Sequence, residues 1–181
     1  MKKQIIIATL ALGAFVFGIN NAQAQDSNPV STTVNIQLAD VICIDAISSE
    51  AVNFSYTTSH DYNNYQEHTV ASNLSVTSSK GFNINVRAEG NHFEDSNNSN
   101  RYKIPVEVLK ITAVTGGTMN GTFKEIQLAR NSKTLVEGAE HGAQRTLNIK
   151  YSISETDAKE KLLGLPANTY TQKVKYTATA I

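Results

Sequence analysis

The chain has 181 residues, 40% of them hydrophobic, and its 16 basic and 16 acidic side chains leave no net charge. This length suits one domain with a single core, and the balanced charge excludes binding to nucleic acid or an anionic membrane through bulk charge. A single cysteine, Cys43, excludes a fold that is held together by disulfide bonds within the chain.

The first 24 residues have the pattern of a cleaved secretory signal. Two lysines near the start precede an uncharged apolar run at residues 5–19, and the small-residue motif Ala-Gln-Ala follows at 22–24. The run is shorter than the roughly 20 residues of a membrane-spanning helix, and no second run of its length follows in the sequence. The sequence therefore predicts a protein exported to the periplasm or cell surface, with residues 25–181 as one mature domain that does not span the membrane.

Most of the mature sequence has the period-two alternation of half-buried strands. The first such segment, residues 30–38, has alternate apolar positions that include Val34, Ile36 and Leu38. Residues 129–144 are looser and predict a loop with a short strand. The other predicted strands, each bounded by turn-forming residues, cover residues 52–56, 69–77, 82–88, 104–114, 122–128, 146–153 and 169–181.

One helical signal interrupts the strands near the end of the chain. Ser154 is followed by acidic residues, as at a helix N-terminus, and good helix formers occupy residues 158–163 before Gly164. We therefore predict an all-β fold, an antiparallel immunoglobulin-like β-sandwich with one short helix before the last strand. A closed barrel is the alternative architecture.

Three segments in the same order resemble the subunits of archaic chaperone–usher pili and the related spore-coat-U-like proteins. They are the alternating residues 34–38 running into Cys43, the hairpin at residues 74–86 and the closing strand at residues 165–177. The end of the chain is also similar to cell-wall-binding domains of the WxL type, although the tryptophan signature of those domains is missing. Together the three segments cover just under a quarter of the mature chain.

The resemblance implies a function in which a strand passes between subunits. In such an assembly the first strand leaves its own subunit and fills a groove in its neighbour. The residues that would make this contact are Val34, Ile36 and Leu38. The resemblance also implies a disulfide from Cys43 to a cysteine near Thr77 or Ser78, and this sequence has none there.

No catalytic machinery, cofactor site or metal site is predicted from the motifs. The sequence lacks the Gly-x-Ser-x-Gly turn of serine hydrolases, and its histidines lack the close helical spacing of zinc enzymes. His60 and Asp61 could meet Glu67 and His68 across a hairpin around a metal, but a solvated loop is the favoured interpretation. Cys43, between two isoleucines, is interpreted as a buried and inert thiol rather than a nucleophile.

Two segments carry weaker binding signals. The polar loop at residues 90–100 is rich in oxygen ligands, as calcium sites are, but lacks the full calcium-loop pattern and is interpreted as solvated. Tyr62 and Tyr65 lie in an Asn-rich stretch, where aromatic faces beside amides suit a glycan such as peptidoglycan. The structural alternative is that these tyrosines pack over the rim of the sheets.

The sequence thus predicts a secreted structural or adhesive surface protein, pilin-like, whose partners are further copies of itself or other surface proteins. The alternative is a monomeric module that binds the cell wall or another glycan. An undetected hydrolase is the third hypothesis, and it has no motif in its favour.

Overall fold

The computed structural model describes residues 30–48, 50–95 and 102–181, so the predicted signal segment lies outside the described residues. The chain divides into two units, Met1–Gln37 and Leu38–Ile181. All of the strands and helical turns of the described residues belong to the second unit.

The described part of the first unit, residues 30–37, contains no strand or helix. Its apolar side chains are exposed, with Val34 at 78% and Ile36 at 82%, and Leu38 at the start of the second unit is 88% exposed. The prediction of a half-buried strand of the fold at residues 30–38 is therefore wrong. Alternation gives a segment the side chains of an amphipathic strand, but a strand also needs a neighbour that satisfies its backbone.

The second unit is all-β, as predicted, and its strands pair in an antiparallel manner. In chain order the strands are β1 (Ile42–Ala46), β2 (Gln66–Ser78), β3 (Phe82–Ala88), β4 (His92–Asp95), β5 (Ile104–Pro105), β6 (Leu109–Val114), β7 (Thr122–Phe123), β8 (Glu125–Gln127), β9 (Lys133–Ala139), β10 (Gly142–Ile153), β11 (Tyr170–Thr171) and β12 (Val174–Ala180). The helical turns are α1 (Ser59–Tyr62), a 3-10 turn (Val106–Val108), α2 (Glu155–Asp157) and a π-helical turn (Ala158–Leu162).

Two larger sheets supply the core of this unit. The first sheet has the strand order β1-β2-β10-β6-β8, and the second has the order β12-β3-β9-β7. A third, small sheet has the strand order β11-β4-β5, and its strands pair with no strand of the two larger sheets. One hydrophobic cluster draws on both larger sheets, with Ile111 and Ile149 from the first and Phe82, Ile84 and Leu135 from the second fully buried.

The alternation in β3 shows how the sequence assigns each face of a sheet. Phe82, Ile84 and Val86 are buried, whereas Arg87 is exposed and Asn85 is half-buried on the opposite face. Successive side chains of a strand point to opposite faces, so this pattern fixes the face of β3 that enters the core. The predicted strand at residues 82–88 is confirmed.

The predicted helical segment is confirmed, and a second one appears that the sequence analysis missed. The Ser154 hydroxyl accepts a hydrogen bond from the Asp157 backbone N–H at 3.1 Å, which caps α2 before the chain continues as a π-helical turn. The missed helix, α1, begins with a capping box in which the side chains of Thr58 and Asp61 bond each other's backbone N–H.

Other differences concern segments whose neighbours decide their structure. Residues 52–56 form no strand, although their side chains alternate between half-buried and exposed as predicted. The predicted polar loop at residues 90–100 contains β4, and the looser segment at residues 129–144 contains the seven-residue strand β9. The short strand predicted within residues 129–144 is confirmed as β9. Local composition did not indicate β4, because it is stabilised by the strands beside it.

Candidate interaction site at the open edges of the two sheets

β1 is an edge strand whose core-facing side is incompletely covered. It pairs with β2, and their register sets Ile44 opposite Val76, which is fully buried. Ile44 therefore faces the core, yet it is half-buried, and Ile42 on the same face is 39% exposed. In the described part of the chain, β1 has no ladder on its other edge.

β12 is the corresponding edge strand of the second sheet. Its core-facing residues are Val174, Tyr176, Ala178 and Ala180. Their partners on β3 are fully buried, whereas the first three of these side chains are half-buried and Ala180 is exposed. Apolar side chains that point toward the core therefore meet solvent along this strand as well.

The free edges of both strands carry backbone groups that no ladder between described residues satisfies. In an antiparallel pair, residues that bond the partner strand alternate with residues whose N–H and C=O point away from it. The Glu89 N–H donates to the Lys173 carbonyl at 3.0 Å, so the backbone groups of Val174 point to the free edge. Next to β1, the Ser79 N–H donates to the Val41 carbonyl at 2.9 Å. By the same alternation, the backbone groups of Ile42 point to the free edge of β1.

β1 and β12 face each other, and we call this pair of edges the open side. Some of their Cα atoms lie within 8 Å of each other, but no ladder joins the two strands. A sheet edge with unpaired backbone groups beside apolar side chains is a template for a further strand. At the open side, an added strand would both bond the unpaired backbone groups and cover the exposed apolar side chains.

The opposite edges of the two sheets are joined by the chain itself, and we call them the closed side. β7 belongs to the second sheet, β8 to the first, and Lys124 alone separates them. The Lys124 N–H donates to the Leu135 carbonyl at 2.9 Å, and its carbonyl accepts from the Ala113 N–H at 3.1 Å. The crossing residue thus has both backbone groups bonded, one to each sheet.

A chain of hydroxyl groups connects the two sheets behind the open side. The Tyr151 hydroxyl on β10 donates to Asn73 Oδ1 at 3.0 Å and lies 2.7 Å from the Tyr176 hydroxyl on β12. Burial raises the pKa of both tyrosines, that of Tyr176 well above its ordinary value. The polar network is therefore neutral over the physiological range and ties β12 to the first sheet.

Cys43 is exposed, and the prediction of a buried thiol is wrong. Because Ile42 and Ile44 face the core, alternation places Cys43 on the outer face of β1. The Asp45 carboxylate accepts a hydrogen bond from the thiol at 3.6 Å, and this bond and the negative charge raise the pKa of Cys43. A raised pKa makes the nucleophilic thiolate scarcer, so the geometry does not suit a catalytic cysteine.

The two tyrosines that were predicted to contact a glycan, Tyr62 and Tyr65, differ in their surroundings. Tyr62 packs against Tyr56 with ring centroids 5.1 Å apart, and its hydroxyl donates to the Tyr56 carbonyl at 3.5 Å. Tyr65 is 50% exposed. The two rings therefore lie in different environments, and glycan contact by Tyr62 and Tyr65 stays a prediction.

The side chains considered as metal ligands have other partners. The Asp61 carboxylate is occupied by the α1 cap, and the backbone N–H groups of Thr58 and Thr57 lower its pKa. Glu67 pairs with a lysine at 3.3 Å, and His68 packs edge-on against an aromatic ring at 4.9 Å. No group of three potential metal ligands occurs within the described ranges.

The calcium interpretation of the polar loop falls mainly on residues 96–100, which lie outside the described residues. At its described end, the Asp95 carboxylate accepts a hydrogen bond from the Asn168 amide. The helices of the described residues include none that is both long and apolar enough to cross a membrane.

No protein-family model and no curated protein matches this sequence. The interpretation of the open side therefore depends on its own geometry.

Proposed function

We propose that this chain is an exported structural or adhesive subunit of pilin-like type that assembles by strand addition between copies. Residues 30–38 of one copy enter the open side of the next copy and lie between its β1 and β12. The observation that carries the proposal is the presence, in one chain, of an exposed strand-like segment and of two sheet edges that pair with no other strand in the part of the chain that the structure describes.

The chemistry of the two parts is complementary. Val34, Ile36 and Leu38 are spaced two residues apart, so in an extended conformation they lie on one face of the segment. Burying such a side chain contributes roughly 1.5–3 kcal/mol. On the other face, Asn35 and Gln37 would remain in water, as the outer residues of the neighbouring strands do.

Strand addition also requires the open side to widen. Neighbouring strands lie about 4.8 Å apart, so a strand between β1 and β12 needs these two about 10 Å from each other. Some of their Cα atoms now lie within 8 Å. Insertion therefore separates the edges at these points, and the backbone hydrogen bonds and apolar contacts of the new strand offset that cost.

Three further observations support the proposal. The two larger sheets and their shared core are compatible with an immunoglobulin-like sandwich. The β1–β2 register pairs Cys43 with Thr77, one of the two positions, Thr77 and Ser78, near which the resemblance to pilus subunits implies the second cysteine. Residues 1–24 have the pattern of an export signal, which agrees with assembly outside the cytoplasm.

The first test uses two double variants with the same change of charge. Replacing Val34 and Ile36 by Asp puts two carboxylates on the face that would be buried, and we expect this to abolish multimers because burying unpaired charge is costly. Replacing Asn35 and Gln37 by Asp puts them on the face that stays in water, and we expect multimers to persist. Light scattering coupled to size exclusion, over a concentration series, measures the outcome.

A complementary experiment removes residues 25–38 and restores them in trans. We expect the truncated protein to be protease-sensitive and to become resistant when a synthetic peptide of residues 30–38 is added. A full-length protein that is monomeric at every concentration would show that self-assembly is wrong. The monomeric cell-wall or glycan module would then become the leading hypothesis, with Tyr65 as its exposed aromatic residue.

A further inference from the structure

The outer face of the second sheet carries an unusual row of polar side chains. On β3 the outward residues are Asn83, Asn85 and Arg87, spaced about 7 Å apart along the strand because alternate residues share a face. Directly opposite them on β12 are Thr179, Thr177 and Lys175. The face contains no outward apolar or aromatic side chain on either of these strands.

Within residues 30–48, 50–95 and 102–181, the two asparagines of this row have bonded acceptor oxygens and amide donors without a partner. Asn83 Oδ1 accepts a hydrogen bond from the Gly138 N–H at 2.8 Å, and Asn85 Oδ1 accepts one from the Thr134 hydroxyl at 2.9 Å. Among the described residues, neither amide –NH₂ group has a partner, and neither is a buried unsatisfied atom. These groups are therefore fixed in orientation by their oxygens and present hydrogen-bond donors to solvent.

The cationic end of the row is incompletely neutralised. Arg87 and Lys175 are directly opposite each other, an arrangement of like charges that destabilises a sheet. Glu89 pairs with Lys175 at 2.9 Å, and its pKa is lowered by this bond, by the charge of Lys175, and by Lys173 and Arg87 nearby. One carboxylate thus faces three cations, and Arg87 forms no ion pair within the described part of the chain.

We propose that this donor row, Asn83, Asn85 and Arg87 with Lys175 beside it, binds an acidic polysaccharide. An extended chain of sugars with carboxylate groups offers acceptors and negative charge along a flat face, which is what a row of free donors and a guanidinium can bind. Single-stranded nucleic acid is disfavoured because its binding sites use aromatic side chains on which bases stack. The proposed strand addition would use the edge of β12 and leave this outer face free, so the polysaccharide proposal does not rest on it.

The binding experiment uses polygalacturonate as the acidic probe and dextran as the neutral one, with the full mature chain. We expect the polygalacturonate complex to weaken as salt is added, and dextran not to bind. Replacing Arg87 and Lys175 by Gln should raise the Kd for polygalacturonate about tenfold or more. The matched control replaces Lys110 and Lys150, on the first sheet, by Gln and should change the Kd less than about twofold.

Two single variants separate the row from net charge alone. Glu89→Gln should lower the Kd, because it releases Lys175 from its ion pair. Asn85→Asp keeps the acceptor for Thr134 but replaces the free donor by an oxygen, and it should raise the Kd more than Asn53→Asp, which adds the same charge elsewhere. None of these substitutions should alter the multimer distribution.

Three results would overturn the proposal. The first is equal weakening by the Arg87/Lys175 and Lys110/Lys150 pairs, which would mean that only total charge matters. The second is binding of dextran as strong as that of polygalacturonate. The third is tighter binding of a single-stranded DNA oligonucleotide than of polygalacturonate at the same salt concentration.

Discussion

The two sides of the paired sheets differ in how their edges are completed. On the closed side, Lys124 carries the chain from one sheet to the other with both backbone groups bonded, and Leu128 just beyond is fully buried. On the open side, β1 and β12 end their sheets without a ladder between them, and Ile42 is 39% exposed. The difference shows that the edges are bonded through the chain on the closed side and left without a ladder between them on the open side, where the proposed function places the added strand.

The largest expected difference in the free energy of unfolding is between truncating a side chain beside the closed side and truncating one on the open side. Leu128→Ala should lower the free energy of unfolding by about 2–5 kcal/mol, because it leaves a cavity in the core. Ile42→Ala should cost about 1 kcal/mol in the isolated subunit, since water already covers part of that side chain. Urea denaturation in the Val34→Asp/Ile36→Asp background measures both costs without interference from assembly. Equal costs for the two variants would contradict the difference between the sides.

A disulfide across the β1–β2 pair should sharpen the comparison by stabilising the open side. Cys43 and Thr77 are register partners, so Thr77→Cys places two thiols on directly opposite residues. We expect the oxidised variant to gain about 2–4 kcal/mol, less the loss of the 3.0 Å bond from the Gln144 N–H to the Thr77 hydroxyl.

Urea denaturation with and without reductant measures the gain from this bond. Thr77→Ser is the matched control, because it keeps the hydroxyl and adds no thiol. If the denaturation midpoint of Thr77→Cys is the same with and without reductant, the bond has not formed or does not stabilise β1.

The smallest expected effect concerns the hydroxyl network behind the open side. Tyr176→Phe removes the contact with Tyr151, and we expect a cost of about 1 kcal/mol at pH 7. The pKa of Tyr176 is raised in the folded state, so its contribution is fully present below the ordinary value of 10.0 and is lost as pH rises above it. The free energy of unfolding should therefore fall above about pH 10 in the wild type, and fall less steeply in Tyr176→Phe.

A series of urea denaturations between pH 8 and pH 11 checks this dependence. The matched control is Tyr65→Phe, which removes the hydroxyl of a half-exposed ring that is not part of the network. Parallel pH profiles for Tyr176→Phe and the wild type would show that Tyr176 does not make alkaline pH destabilising.

The sequence was sufficient for features that depend on a few neighbouring residues. The alternation from Phe82 to Ala88 predicted β3, and the Ser154 cap predicted the helical segment after β10. It was not sufficient for features that depend on strand order, because no local pattern states which strands end a sheet. Val174 and Ile42 are partly exposed because they lie in edge strands. The alternation of apolar and polar residues around them is the same as in a central strand.

The same limit explains the errors on Cys43 and on residues 30–38. Two isoleucines beside Cys43 suggested an apolar environment, but a strand that is buried on one face needs only alternate apolar residues, and the isoleucines are those residues. For residues 30–38 the alternation described the side chains correctly and said nothing about the strand that would pair with them. The sequence did predict Val34, Ile36 and Leu38 as one apolar face, which is the part of the candidate site that a local pattern can specify.

Under the proposed strand addition, the closeness of β1 and β12 has a consequence for the rate of assembly. Because an incoming strand needs more room than the nearest Cα atoms leave, the edges must part before the strand can pair along its length. Parting is a unimolecular step, so the rate of subunit addition should level off at high subunit concentration instead of rising in proportion to it. A subunit whose β1 and β12 have not parted would then stay monomeric in solution for longer than its final affinity for a neighbour suggests.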